Sequence, residues 1–249
     1  MHTPDRVLVE IVVAAPIDAV WRALRDPTEI RRWFGWDYAG LVDEVELFFV
    51  TGVRADEAGH VLHFEGMPDR FALEAVGSHT IVRLIRAAPT DDVSWRGIYD
   101  DLIEGWLTFV QQLRFVLERH PAGERRALFL NGRAQKPGDL LPADALGLGA
   151  AVVVPIGERY KVATTMGDVL EGTIWFRSVY QLGVTVDAYG DGLIIINTRP
   201  KTAKSAHGGG TVVITTYGLD DQAFAQLRER WTRWWVSQYE VIEIQPALT

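Results

Sequence analysis

Three stretches near the N-terminus decide the fold of this chain: VLVEIVV at residues 7–13, APIDAVW at 15–21 and DPTEIRRWF at 26–34. The first is a β-branched run with little alternation, which predicts a strand covered on both faces. The second has a proline in its first turn and an acidic residue close behind it, which is typical of a short helix. In the third, Asp26 is a suitable N-cap before Pro27, which predicts another short helix.

Strand-like runs follow at Val42–Val50, Gly59–Phe64, Arg70–Val76 and His79–Ile85. Gly77 and Ser78 separate the last two runs and predict a tight turn. Successive strands joined in this way favour an antiparallel meander.

A long helix is predicted from about Thr90 to Arg119, because apolar residues form two adjacent stripes along it. The combined apolar face is wider than a surface helix needs. Such a face fits a helix that lies across a concave sheet. The element order therefore predicts an α+β fold in which a curved antiparallel sheet surrounds a long C-terminal helix, with an apolar cavity between them.

The second half repeats part of this pattern after a linker at Pro121–Glu124. Strand-like runs are predicted at Ala127–Leu130, Ala150–Val154, Arg159–Thr164, Thr173–Val179, Gly183–Val186, Leu193–Asn197 and Thr211–Thr216. A last helix is predicted over Asp220–Gln238, and a short one over Leu140–Leu146. Phe224, Leu227 and Trp231 match Tyr99, Leu102 and Trp106 at a constant offset, which indicates a tandem repeat.

We therefore expect a helix-grip-like domain at residues 1–121 and a diverged, shortened copy at 122–249, with a single large domain as the alternative. The first copy is expected to hold the more complete cavity. Trp231, Trp234 or Trp235 is expected to fill the second copy or to seal a contact, so a homo-oligomer is one expectation.

Composition excludes several classes of protein. The chain has 249 residues, a net charge of -8 and no cysteine. An acidic chain without a basic stripe is a poor nucleic-acid binder, and disulfides, zinc-thiolate sites and thiol nucleophiles are excluded. We find no signal peptide and no apolar run long enough to span a bilayer, so we expect a cytoplasmic protein that does not bind membranes.

Motifs for catalysis and cofactors are weak. His60, His63 and Glu65 resemble metal ligands, but only two of them share a strand face, so we predict no metal. The Gly147-x-Gly149 motif precedes a predicted strand and lacks the helix that would bind a phosphate, so we predict no cofactor. No serine lies in a nucleophile elbow, and we assign no catalytic residue.

Aromatic residues are the strongest candidates for a binding site. Large aromatic side chains with a few polar tips suit an apolar small molecule, although they fit a filled core equally well. The candidate ligand-binding residues are Trp33, Trp36, Tyr38, Phe64, Tyr99, Trp106 and Phe109.

A family resemblance supports this interpretation. The Ala-Pro-x-x-x-Val-Trp pattern at 15–21, the Asp-Pro-x-x-Ile-Arg-Arg-Trp-Phe pattern at 26–34 and Gly105-Trp106 after Tyr99 resemble the START-like (SRPBCC) superfamily over about residues 5–120. The branch that it resembles is the C-terminal domain of the activator of the heat-shock-protein-90 ATPase. The resemblance implies a helix-grip fold with a cavity, in a superfamily of lipid carriers, hormone binders, polyketide cyclases and co-chaperone-like domains.

Three functions remain open. The first is non-enzymatic binding of a small apolar or amphipathic ligand, without a cofactor. The second is a polyketide cyclase or hydrolase-type enzyme, in which Tyr38, Tyr99 or His63 would supply an acid or base. The third is a co-chaperone-like interaction with another protein.

Overall fold

The chain forms two compact units, residues 1–122 and 123–247. This computed structural model describes residues 5–87, 96–201 and 205–243, with the backbone alone at 96–101. The predicted helix start, including Asp91 and Asp92, lies outside the described residues, as does the Tyr99 side chain.

The first unit is a sheet followed by a long helix. Its elements are β1 (Arg6–Val13), α1 (Ile17–Arg25), α2 (Pro27–Ile30), α3 (Leu41–Val45), a π-helical segment (Glu46–Thr51), β2 (Val53–Asp56), β3 (Val61–Phe64), β4 (Asp69–Val76), β5 (His79–Arg86) and α4 (Arg96–Arg119). The described strands follow the order β1-β5-β4-β3-β2, and each neighbouring pair is antiparallel. The last strand of the meander therefore returns to pair with the first.

One face of this sheet packs against α4. Phe71 and Leu73 on β4 and Val82 and Leu84 on β5 alternate with more exposed neighbours, so they share one buried face. They join one core cluster with the buried side of α4. The predicted arrangement, a curved antiparallel sheet that holds a long helix, is confirmed.

The prediction of a strand at Val42–Val50 is wrong. This segment forms α3 and the π-helical segment instead. Leu41, Val45 and Phe49 are buried and lie four residues apart, which is a helical spacing. The apolar run Leu47–Val50 obscured that spacing, because short apolar runs are ambiguous between helix and strand.

The second unit also consists of an antiparallel sheet followed by a long helix. Its elements are β6 (Arg125–Arg133), α5 (Pro142–Leu146), a 3₁₀ segment (Leu148–Val153), β7 (Arg159–Ala163), β8 (Val169–Arg177), β9 (Gln181–Val186), a 3₁₀ turn (Asp187–Tyr189), β10 (Gly192–Arg199), β11 (Gly209–Tyr217), α6 (Asp221–Gln238) and β12 (Glu240–Val241). The order is β12-β6-β11-β10-β9-β8-β7. As in the first unit, the last long strand pairs with the first and leads into the long helix.

Two details of the second unit add to or correct the expectations. Its sheet has seven strands within the described residues, against five in the first unit. The predicted strand at Ala150–Val154 is mostly a 3₁₀ segment, in which Leu148 and Ala151 are buried one turn apart while Val153 is exposed.

Tryptophans fill the core of the second unit, as expected. Trp231 and Trp235 are fully buried, and Trp234 belongs to the same core cluster. The Trp231 indole Nε1 donates a hydrogen bond to the Tyr189 hydroxyl at 3.0 Å. This polar contact satisfies the donor of a large side chain inside an apolar core.

A buried ion pair lies at one end of the inner face of the first unit's sheet. The Arg86 Nε and Nη2 atoms donate to the two carboxylate oxygens of Asp69, each at 2.6 Å. The Asp69 side chain is 0% exposed and that of Arg86 is 9% exposed. The neighbouring Arg83 makes ion pairs with Glu74 and Glu10 that are much more exposed.

Replacing Asp69 by Ala should lower the free energy of unfolding by about 3–5 kcal/mol, because it removes the buried carboxylate that accepts two hydrogen bonds from the Arg86 guanidinium. The matched substitution Glu74→Ala, on the same strand pair, should cost less than about 1 kcal/mol because solvent screens that pair. Urea unfolding of both variants measures the difference. Equal losses would show that the Asp69–Arg86 pair is no more important than a surface pair.

Candidate ligand pocket

The first unit contains a pocket of about 190 Å³ beside α4. Its described lining is apolar except for one carboxylate, and it comes from α3, α4, the π-helical segment and the loops after α2 and β3. The lining residues are Phe34, Glu44, Phe48, Met67, Leu102, Gly105, Trp106 and Phe109.

Trp106 lies at the centre of the aromatic packing around this pocket. It is 6% exposed. Its ring lies edge-on to Phe71, with the centroids 5.4 Å apart, and is tilted against Phe64 at 5.2 Å. Phe34 and Phe109, which also line the pocket, are 4.7 Å apart. Aromatic contacts of this kind hold the pocket wall in one conformation.

Gly105 leaves space in this wall. It lies within α4 and lines the pocket, and a Cβ atom added there would meet none of the described residues within 4 Å. Glycine costs about 0.5–1 kcal/mol relative to alanine inside a helix. Gly105 therefore weakens the helix at the point where the pocket opens.

The structure brings some of the predicted ligand-binding residues together. Trp106 and Phe109 line the pocket. Trp36 is half-buried beside them, with its ring centroid 6.3 Å from that of Phe109 and 6.1 Å from that of Tyr38. The Tyr38 hydroxyl reaches the pocket wall by donating a hydrogen bond to the Glu44 carboxylate.

The other predicted residues lie elsewhere. Trp33 is fully buried, and its indole Nε1 donates to the carbonyl oxygen of Ala23 at 2.8 Å. Phe64 is buried in the same core and packs on Trp106. These two side chains support the pocket wall from within the core. The Tyr99 side chain is outside the described residues, and ligand binding by the whole set stays a prediction.

Glu44 is a pocket residue that sequence reasoning missed. The sequence predicts a strand at this position, whereas the structure places Glu44 on α3 between Leu41 and Val45, with its side chain half-exposed. Tyr38 is held near it partly because Gly40 has no side chain: a Cβ atom there would lie 2.7 Å from Tyr38 Cε2. The pKa of Tyr38 is raised, first by burial and then by the hydrogen bond and the charge of Glu44. The hydroxyl therefore remains protonated and donates to the carboxylate.

The histidine motif does not form a metal site. His63 lies on β3, which pairs with both β2 and β4. Burial and the charges of Arg54 and Arg70 lower its pKa. Within residues 5–87, 96–201 and 205–243, no three metal-ligating side chains come together. Gly147 has a left-handed conformation that ends α5, so the Gly147-x-Gly149 motif is part of a helix C-cap.

No helix in the described part of the chain is long and apolar enough to cross a bilayer. No protein-family model and no curated protein matches the chain. The resemblance to the activator of the heat-shock-protein-90 ATPase is therefore not confirmed, and the co-chaperone-like interaction stays a prediction.

Solved structures that resemble the chain include three proteins from biosynthetic pathways. DynU16 from the dynemicin biosynthetic locus is 18% identical over 94% of this chain and 95% of its own, with a TM-score of 0.29. The di-domain ARO/CYC BexL from the BE-7585A pathway is 12% identical over 98% of this chain and 100% of its own, with a TM-score of 0.35. The di-domain ARO/CYC StfQ from the steffimycin pathway is 12% identical over 94% of this chain and 93% of its own, with a TM-score of 0.33. At these identities and TM-scores the likeness carries no argument about function. The fold assignment rests on the strand order and the terminal helices.

Replacing Gly105 by Ala should raise the free energy of unfolding by about 0.5–1 kcal/mol, because the methyl group would have none of the described residues within 4 Å and alanine favours the helix. The contrasting substitution Gly40→Ala should lower it by about 1–3 kcal/mol, because its methyl group displaces the Tyr38 ring. Urea unfolding of both variants is the measurement. A destabilised Gly105→Ala variant would show that the space beside α4 is not open.

Proposed function

We propose that the first unit binds a small, largely apolar ligand in the pocket beside α4. The observation that carries this proposal is the space left at Gly105 within a wall of aromatic side chains. Phe34 and Trp106 on this wall are buried, and an apolar ligand would complete their packing.

The dimensions suit a compact ligand. The pocket volume of about 190 Å³ exceeds the roughly 150 Å³ of an engineered cavity that holds benzene. It is smaller than the roughly 300–1,000 Å³ of sites for drug-sized ligands. One to three fused rings, or one end of a longer molecule, therefore fit best. Burial of about 300 Å² of apolar ligand surface contributes roughly 7 kcal/mol before the costs of association, which supports micromolar affinity.

Filling the pocket from the protein side tests the proposal. Gly105→Leu places an apolar side chain in the space that a ligand would occupy, and leucine is a good helix former. We expect this variant to fold normally by circular dichroism and to lose calorimetric binding of naphthalene-sized compounds. Gly105→Ala should bind with intermediate affinity. Unchanged affinity in the folded Gly105→Leu variant would place binding outside this pocket.

A second candidate function is that of a cyclase-type enzyme. The observation in its favour is the Tyr38–Glu44 pair, in which one member lines the pocket and the two are hydrogen-bonded. Tyr38 would serve as a proton donor and Glu44 as an acceptor for a substrate that folds in the pocket.

For this candidate, Tyr38→Phe and Glu44→Gln should each lower kcat for cyclisation of a linear poly-β-ketone thioester about 100-fold or more. KM should change much less, because the apolar wall that binds the substrate is intact. The rate is measured by chromatography of the cyclised products. A wild-type rate equal to the rate without protein, or unchanged rates in both variants, would remove the enzyme hypothesis.

A further inference from the structure

We propose that the pocket selects ligands whose apolar body carries a hydrogen-bond donor, such as a phenolic hydroxyl or an aromatic amine, and that it rejects carboxylates. This inference rests on the proposed binding function and specifies the chemical class of its ligand. The end of the ligand that carries the donor would lie against the Glu44 carboxylate.

The lining has a single sign of charge. Glu44 is its one charged side chain among the described residues, and the others are apolar side chains or glycine. None of the described lining residues is Lys, Arg or His. A ligand carboxylate would therefore lose its hydration and meet a like charge in an apolar site.

Tyr38 cannot reverse this preference. A phenol has one hydrogen to donate, and that of Tyr38 is already directed to Glu44. Burial and the acidic neighbours raise the Tyr38 pKa, so the hydroxyl keeps this proton. A carboxylate can accept about four hydrogen bonds, so the bond from Tyr38 leaves Glu44 able to accept from a ligand.

The position of the acceptor is also well defined. Glu44 lies on α3, where its backbone N–H donates to the carbonyl oxygen of Gly40 at 2.9 Å. The Tyr38 ring lies against the Cα side of Gly40, where a side chain would displace it. The tyrosine thus restricts the Glu44 side chain, and a restricted acceptor loses less entropy when a ligand binds.

The experiment compares three probes of similar shape: 1-naphthol, 1-methylnaphthalene and 1-naphthoate. Calorimetry gives their dissociation constants for the wild type and for Glu44→Gln, and ratios between variants cancel the differences in probe hydrophobicity. Charge-assisted hydrogen bonds are about twice as strong as neutral ones. We therefore expect Glu44→Gln to weaken the binding of 1-naphthol about 5-fold relative to that of 1-methylnaphthalene. The same substitution should strengthen the binding of 1-naphthoate about 10-fold on the same scale.

Asp43→Asn is the matched control. It removes the same charge one residue away, from an exposed side chain that is not part of the described lining. We expect the relative affinities of the three probes to stay within about 2-fold of the wild type in this variant, because solvent screens an exposed charge.

Two results would overturn the inference alone: a wild type that binds 1-naphthoate most tightly, or relative affinities that Glu44→Gln leaves unchanged. In both cases the pocket would still bind apolar rings. If none of the three probes binds the wild type, the proposed binding function itself fails.

Discussion

The first unit depends on the packing of one tryptophan between the sheet and the long helix. Trp106 projects from α4 onto the buried sheet face, where Phe64 and Phe71 meet its ring from two strands. Phe34 comes from the segment after α2 and completes this contact from another direction. Since protein interiors are close-packed, the position of this one indole determines where the helix lies on the sheet. The segment after α2 and the meander therefore contact the same side chain.

A pocket exists beside this packing because of the residue that precedes Trp106. On a helix, adjacent residues point about 100° apart, so Trp106 can fill the core while Gly105 leaves a space next to it. The cost to helix stability at Gly105 is small compared with the contacts of a buried tryptophan. Trp106 therefore stabilises the unit, while its neighbour Gly105 leaves the pocket open at only a small cost in the free energy of folding.

Much of the architecture can be predicted from the sequence, because the spacing of apolar residues and the positions of turn-forming residues indicate it. β4, β5 and the turn between them follow from alternation and from the Gly77-Ser78 dipeptide, and α4 follows from its apolar stripes. Prediction failed where apolar residues are contiguous, since Leu47–Val50 fits either period. That error concealed Glu44, because a helical register is needed to place it on the pocket wall. Gly105 belongs to the Gly105-Trp106 motif, but a glycine indicates a pocket only when its surroundings in the fold are known.

The two units show that a shared strand order is compatible with different packing around the long helix. Trp231 on α6 matches Trp106 on α4 in the repeat, and both are buried. The Trp231 Nε1 atom donates to Tyr189, and Trp235 and Tyr239 pack closely alongside with ring centroids 4.4 Å apart. The Trp106 Nε1 atom, in contrast, has no hydrogen-bond partner in the part of the chain that the structure describes. The two matching tryptophans thus have different surroundings: Trp231 has a polar partner within a buried cluster, and Trp106 lies in the wall of a pocket. Because local packing differs while topology is shared, a function proposed for the first unit cannot be transferred to the second by the fold alone.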